Sequence, residues 1–541
     1  MAKRFTTIFF IVLGIVAFLC VGFFLVLILA PGTRIFGLMY VAKDARAYNS
    51  TRLNLITELN KQGFDGFSGS ITVETDEVPV YIEYTERYGY EFQYYENYVG
   101  LTKSTLEKPF FELSKDKHGG VVIKVHGFKK FLFENKVTTR FLKIFVPLVE
   151  VSGYEGGDTN LTIKSDKSNV TFLKQESDDL RIPSFNQISI ETKGKIILNG
   201  TTEAKTYKLV TPNTITIDEN YKNVVKATHY DLESTRGRIL IKTPVLGDVK
   251  AKTNNGSIKL VSCRNLTVNT NYGDIIGSDE DGKIDVQGMA YITVKSGKVS
   301  LGKVLGGAES MITTSSGRVV VDKIGEVTIT TRRGSVTVNS IKKGHITTNT
   351  GNITVEEALE ALEVDTVRGK VTLGAEGMTM NNINVDSHIG RVYVNSAQGT
   401  AVVTTTGSDV YFTNTTSENV TITAGGNVEA TGLKGSVTVT AEKDAKLTFT
   451  SITERVSVTA GSKTKSIVVY ALSNTTNDIG FVLKGKNVIH YEANDSGTGS
   501  YSNMGEGSHM TNRTDGTLPI INVEGKNAVV KIYLKASVAQ D

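Results

Sequence analysis

The stretch Val327-Thr-Ile-Thr-Thr331-Arg-Arg-Gly334-Ser-Val336-Thr-Val338-Asn-Ser-Ile341-Lys-Lys-Gly344 decides the fold. Val327, Ile329 and Thr331 alternate with Thr328 and Thr330, the period of two expected of a half-buried strand. Arg332, Arg333 and Gly334 interrupt the alternation. Glycine tolerates positive φ, so it suits a sharp corner. Val336 and Val338 resume the apolar alternation, with Ser335, Thr337 and Asn339 on the other face. A link through Ile341 and Gly344 leads on to His345. One coil thus holds two strands of about five residues, a glycine corner and a link with one apolar residue.

The pattern returns about every 19 residues. It reads Thr253-Asn-Asn-Gly256-Ser-Ile258-Lys-Leu260, then Thr348-Asn-Thr-Gly351-Asn-Ile353-Thr-Val355, then Thr366-Val-Arg-Gly369-Lys-Val371-Thr-Leu373. A fixed period of this length signals stacked repeats. Further corners fall at Gly317, Gly390 and Gly407. So short a coil has no room for a crossover helix, so like strands of successive coils must pair in parallel. The expected fold class is all-β, a parallel β-solenoid. Cys263, Val304, Ile324, Ile341 and Leu359 fall at similar offsets after their second strands, which implies a third, shorter wall.

Thr313-Thr-Ser-Ser-Gly317-Arg-Val319-Val-Val321, followed by Gly325-Glu-Val327-Thr-Ile329-Thr, resembles the bacterial adhesin-type β-solenoid family, a domain of unknown function. The resemblance covers roughly residues 230–460. It implies a solenoid body, often behind a membrane anchor, and brings no catalytic residues with it.

Ile8 to Ala30 is uncharged and apolar. As a helix it would be about 35 Å long, enough for a hydrocarbon core of roughly 30 Å. Its exit, Leu27-Ile-Leu-Ala-Pro31, lacks a small-x-small cleavage pattern. A transmembrane signal anchor in the lipid bilayer is expected, with Lys3 and Arg4 on the cytoplasmic side and the body outside the cytoplasm. The expected domains are an anchor over 1–33, a juxtamembrane helix or linker over 34–66, a Tyr-rich β region and N-terminal cap over 67–184, the solenoid over 185–470, and a C-terminal cap with a mobile loop over 471–541. Capping is required because an open last coil would expose unpaired backbone groups.

Cysteine and charge exclude several classes. Cys20 and Cys263 are the two cysteines of the 541 residues. The first lies in the expected span, so the body has no internal disulfide. Cys263 reads as a small buried hydrophobe at a link position. The net charge of +4 is nearly balanced. Basic corner residues such as Arg238, Lys298, Arg318, Lys370 and Arg391 are interrupted by Ser257, Asp274, Ser335 and Asn352, so no basic stripe for nucleic acid forms.

Candidate contact residues concentrate in Tyr81, Tyr84, Tyr88, Tyr90, Tyr94, Tyr95 and Tyr98. Tyrosine combines a flat apolar ring with a hydroxyl, as a glycan- or protein-binding face requires. The same residues also suit strands and an aromatic core. Repeated outward threonines, as in Thr328-Ile-Thr330 and Thr421-Ile-Thr423, form a polar wall that suits ice or glycan contact, or simply an exposed strand. Asn265 and Asn352 begin Asn-x-Thr triplets inside the regular repeat.

No catalytic, metal or cofactor motif is legible. The histidines lack zinc-site spacing, and no phosphate loop occurs. A polysaccharide-cleaving β-helix needs carboxylates gathered on one wall. Asp248, Asp274, Asp322, Asp365, Asp386 and Asp409 occupy different offsets in their coils. The expected function is therefore a non-catalytic adhesin or surface-display protein contacting a cell-surface glycan or protein. An envelope-polymer-binding spacer and a carbohydrate-active β-helix enzyme are the alternatives.

Overall fold

The computed structural model describes residues 2–29, 34–35, 38–39, 45–64, 69–99, 111–125, 136–148, 159–173, 184–199, 203–218, 227–450, 455–473, 480–484, 489–494, 500–503, 507–510, 520–525 and 528–536. They belong to two compact units, Met1–Gly256 and Ser257–Asp541.

In the first unit, helix α1 spans Ala2–Leu29. Among the described residues no helix is long and apolar enough to cross a membrane, which corrects the expected transmembrane anchor at Ile8 to Ala30. In the region expected to be a juxtamembrane helix or linker, 34–66, the described residues include strands as well as a helix. Arg34–Ile35 pairs with Leu38–Met39, and Ala45–Asn49 is a further strand. Among the described residues there, helix α2, Leu55–Lys61, is the one helix. Asn54 caps it by accepting the Thr57 amide at 3.2 Å, and Leu55 and Leu59 are its buried face.

Two walls of parallel strands follow in this unit. The first wall orders as Val121–Val125, Ser70–Thr75, Asn160–Ser165, Ser184–Thr192, Glu203–Thr211, His229–Ser234 and Asp248–Thr253. The second orders as Lys136–Pro147, Val80–Thr85, Val170–Phe172, Ile196–Asn199, Ile215–Asp218 and Ile239–Ile241. Alternate residues point inward and align from coil to coil. Ile71, Leu161, Ile188, Tyr207, Tyr230 and Val249 make one such column, each 1 % exposed or less. A side chain of this size contributes about 1.5–3 kcal/mol when fully buried.

Both walls end on reversed strands. Phe111–Lys115 pairs antiparallel with Val121–Val125. Glu91–Val99 pairs antiparallel with Lys136–Pro147. The parallel ladder therefore does not continue past this end in its own direction, which answers the edge hazard of an open coil.

The second unit has three walls. Val319, Val336, Ile353, Val371, Val392, Val410 and Val428 align in one column, all nearly inaccessible. The expected third wall is present. It aligns Cys263, Val286, Val304, Ile324, Ile341, Ala358, Met380 and Ala397, each 2 % exposed or less. Ala358 takes the place expected for Leu359, which is exposed. Cys263 is buried as a small hydrophobe would be.

The corner glycines serve a different purpose from the expected one. Gly317, Gly334, Gly351, Gly369 and Gly390 are not in the positive-φ region. Each instead lies on the carbonyl of the corner glycine one coil earlier, so that a Cβ would overlap that oxygen. Gly256 lies likewise on Gly237. A threonine three residues earlier completes the corner. Thr314, Thr331, Thr348 and Thr366 accept the amide of Gly317, Gly334, Gly351 and Gly369 at 2.8, 2.9, 3.0 and 3.1 Å. Gly407 stands one residue early. Ser408 holds the position that aligns with Gly390, and a Cβ at Gly407 would meet only the His388 carbonyl at 3.6 Å, an ordinary contact. Positive φ occurs at two earlier corner glycines, Gly273 and Gly297, and where the walls after the corner meet, at Gly374, Ser396, Asn414 and Gly432.

Candidate ligand-contact surface

The tyrosine-rich stretch divides between the core and the surface. In Val80–Thr85, Val80 and Ile82 point inward and Tyr81 outward. In Glu91–Val99, Phe92 and Tyr94 are buried and Tyr95 is half-buried on the outer face. Tyr84 and Tyr90 are half-buried, and Tyr88 is 68 % exposed at the turn between the strands. The Tyr98 side chain lies outside the described residues.

Tyr81 and Tyr95 meet at Phe141, which the sequence reading did not single out. The Tyr95 and Phe141 rings stack with centroids 5.0 Å apart and an interplanar angle of 16°. Tyr81 makes a T-shaped contact with the same Phe141 ring at 5.6 Å and 88°. Such contacts are worth about 0.5–1.5 kcal/mol beyond area burial. Phe141 is brought there because Lys136–Pro147 lies between the two tyrosine strands. The same outer row continues, strand by strand, through Thr171, Ile197, Thr216 and Leu240, all half-buried. Lys143 and Glu83 stand beside the rings and form an ion pair at 2.9 Å.

Charged groups flank this surface. Glu77 binds Lys167 at 2.8 Å and Arg140 at 2.8 Å. The Lys167 hydrogen bond, with Arg140 next, holds the Glu77 carboxyl down to about 2. Inside the same region, Tyr94 donates its hydroxyl to Glu96. Burial pushes the Glu96 carboxyl above its ordinary range, against the opposing effects of Tyr94 and Arg140.

The second unit carries a separate aromatic pair. Tyr393 and Tyr411 stack at 4.8 Å and 9° on the outer face, with the Lys370 ammonium 4.4 Å from the Tyr393 ring centroid. Their strands align residue for residue. Equal offsets in neighbouring coils were the available signal, hidden because the two tyrosines are far apart in sequence.

The carboxylates and amides at the corners are engaged in the fold. Asp274 Oδ1 accepts the Lys298 amide at 2.8 Å, Asp409 Oδ1 the Asn427 amide at 2.8 Å, and Asp444 Oδ1 the Lys465 amide at 2.9 Å. Asn265 and Asn352 do the same for Met289 and Lys370, at 2.9 and 3.1 Å. Each bridges one coil to the next. Among the described residues no group of three or more His, Cys, Asp and Glu side chains is placed to hold a metal ion. His345 bonds Asp365 at 2.8 Å and Thr347 at 3.0 Å on an open outer groove.

No protein-family model matches this chain. No curated protein and no solved structure matches it either. The adhesin-type resemblance therefore rests on the quoted repeat motifs alone.

Proposed function

We propose that the protein is a non-catalytic, adhesin-like structural solenoid displayed outside the cytoplasm, which contacts an envelope or cell-surface polymer through its outward aromatics. The observation that carries this reading is the use of the polar side chains. Asp274, Asp409, Asp444, Asn265 and Asn352, which could otherwise furnish chemistry at the coil corners, accept backbone amides of the neighbouring coil. The corner threonines do so within their own coil. Such a body is suited to holding a surface in place.

The contact surface is the Tyr81, Phe141 and Tyr95 cluster with its Lys143–Glu83 rim. The aromatic faces are partly engaged with one another, so the tyrosine edges and hydroxyls are what a polymer would meet. Amphipathic rings of this kind dominate recognition surfaces. Co-sedimentation of the full-length protein with insoluble envelope polysaccharide tests the reading. Binding that falls at least tenfold in the Y81A/Y95A variant is expected. Undiminished binding by a folded variant would remove the cluster from the function. Protease shaving of intact cells tests the location: digestion of the body is expected, and full protection would overturn it.

A further inference from the structure

We propose that the coil 520–536 occupies a strand-acceptor slot that can equally be filled by the same coil of a second copy of this chain. The basis is the order of layers in the second unit. In the first wall, Val456–Ala460 pairs in parallel with Ile520–Gly525, which pairs in parallel with Gly480–Lys484. In the next wall, Ser466–Ser473 pairs with Val529–Ala536, which pairs with Ile489–Asn494. The strands 480–484 and 489–494 therefore lie beyond the strands 520–525 and 529–536, although they come earlier in the chain.

The far side of that outer layer is closed. Gly507–Met510 pairs antiparallel with Gly480–Lys484, and Ser500–Asn503 pairs antiparallel with Ile489–Asn494. The chain thus builds both boundaries of the slot before it supplies the filling. The two boundaries are about 9–10 Å apart, two strand spacings, which is the width of one missing strand. Both present unpaired backbone groups toward the gap when it is empty, and such edges recruit a strand. The filler brings Ile521, Val523, Ala528 and Val530 into the core, each 2 % exposed or less.

A second copy offers the same strands in the same register. Its coil would make the same backbone bonds on both sides, so exchange alters only the connectivity. This is the condition for domain swapping. The intramolecular filler has the advantage of effective concentration, so exchange is favoured when protein is crowded during folding.

Introduced cysteines in a C20S background, with the buried Cys263 left in place, test this in the full chain. Thr459 and Glu524 align across the boundary and the filler, and both are exposed. Neighbouring strands fall within disulfide reach. Coexpressed T459C and E524C chains are expected to yield a disulfide-linked heterodimer, well above the amount from a T421C and E524C control pair. The T459C/E524C double variant should close within one chain. Closure in the double variant with no heterodimer from the mixed pair would overturn the exchange. Failure of the double variant to close would overturn the layer order itself. A heterodimer no more abundant than the control would count against the proposal as random collision.

Discussion

Thr331 and Gly334 hold one corner together: the Thr331 hydroxyl oxygen accepts the Gly334 amide at 2.9 Å, and both residues are buried. Beneath Gly334 lies the Gly317 carbonyl, so close that no Cβ fits. The pair thus satisfies a buried donor and lets two coils approach. Neither task can pass to a larger or apolar residue.

Substitution at the glycine should therefore depend on its seat. Gly334→Ala should lower stability by about 1–3 kcal/mol, the usual cost of forcing atoms into a filled core. Gly407→Ala, whose Cβ would make only an ordinary contact with the His388 carbonyl, should stay within about 0.5 kcal/mol. Urea-unfolding midpoints of the two variants compare them directly, and equal shifts would refute the close-approach explanation.

The threonine should obey hydrogen-bonding chemistry. Thr331→Val keeps the shape and removes the acceptor, leaving the Gly334 amide unsatisfied at a cost of about 1–3 kcal/mol. Thr331→Ser retains the oxygen and should lose less. Thermal unfolding of both variants should rank them in that order.

Glu77 sets an acid-side expectation. Its folded pKa of about 2 lies below the ordinary 4.5, so its contribution is fully present above about 4.5 and is lost as pH falls toward about 2. Glu77→Gln should flatten the pH dependence of stability in that window and leave its slope near pH 7 unchanged. Stability measured at pH 7, 4 and 2.5 would show it.

Glu96 has the opposite sign. Burial raises its pKa, so the folded state holds the proton more tightly than the unfolded chain. That contribution is complete below the ordinary value of 4.5 and is lost as pH rises through the folded value. Glu96→Gln, which still accepts from Tyr94, should be more stable than the parent at pH 7 and equal to it at pH 3. A variant weaker than the parent at pH 7 would contradict the assignment.

Local periodicity made the coils legible. The alternation in Val327 to Thr331 and Val336 to Val338, and the recurrence of Gly334, Gly351 and Gly369, carry the parallel stacking and the third wall with Ile324 and Ile341. The reason for the glycines was not legible, because the clash is with a carbonyl one coil away. Leu359 was named in place of Ala358 for a related cause: register at a link is set by the neighbouring coil. The interposed coils, Ser70–Thr85 and 520–536, depend on long-range pairing that no local pattern encodes. Two strands, Ser500–Asn503 and Gly507–Met510, form within 471–541, where a cap with a mobile loop is expected from the sequence. Of the candidate surface, Tyr81 and Tyr95 were visible as a cluster. Their meeting point, Phe141, lies some 46 residues beyond Tyr95 and is joined to them only by the fold.

The glycine-on-glycine seating also constrains descent. A corner residue is fitted to the one before it and the one after it, so a partial insertion would shift a whole column out of step. Such a gene lengthens most safely by copying an entire turn, and its size should change among relatives in whole multiples of that turn.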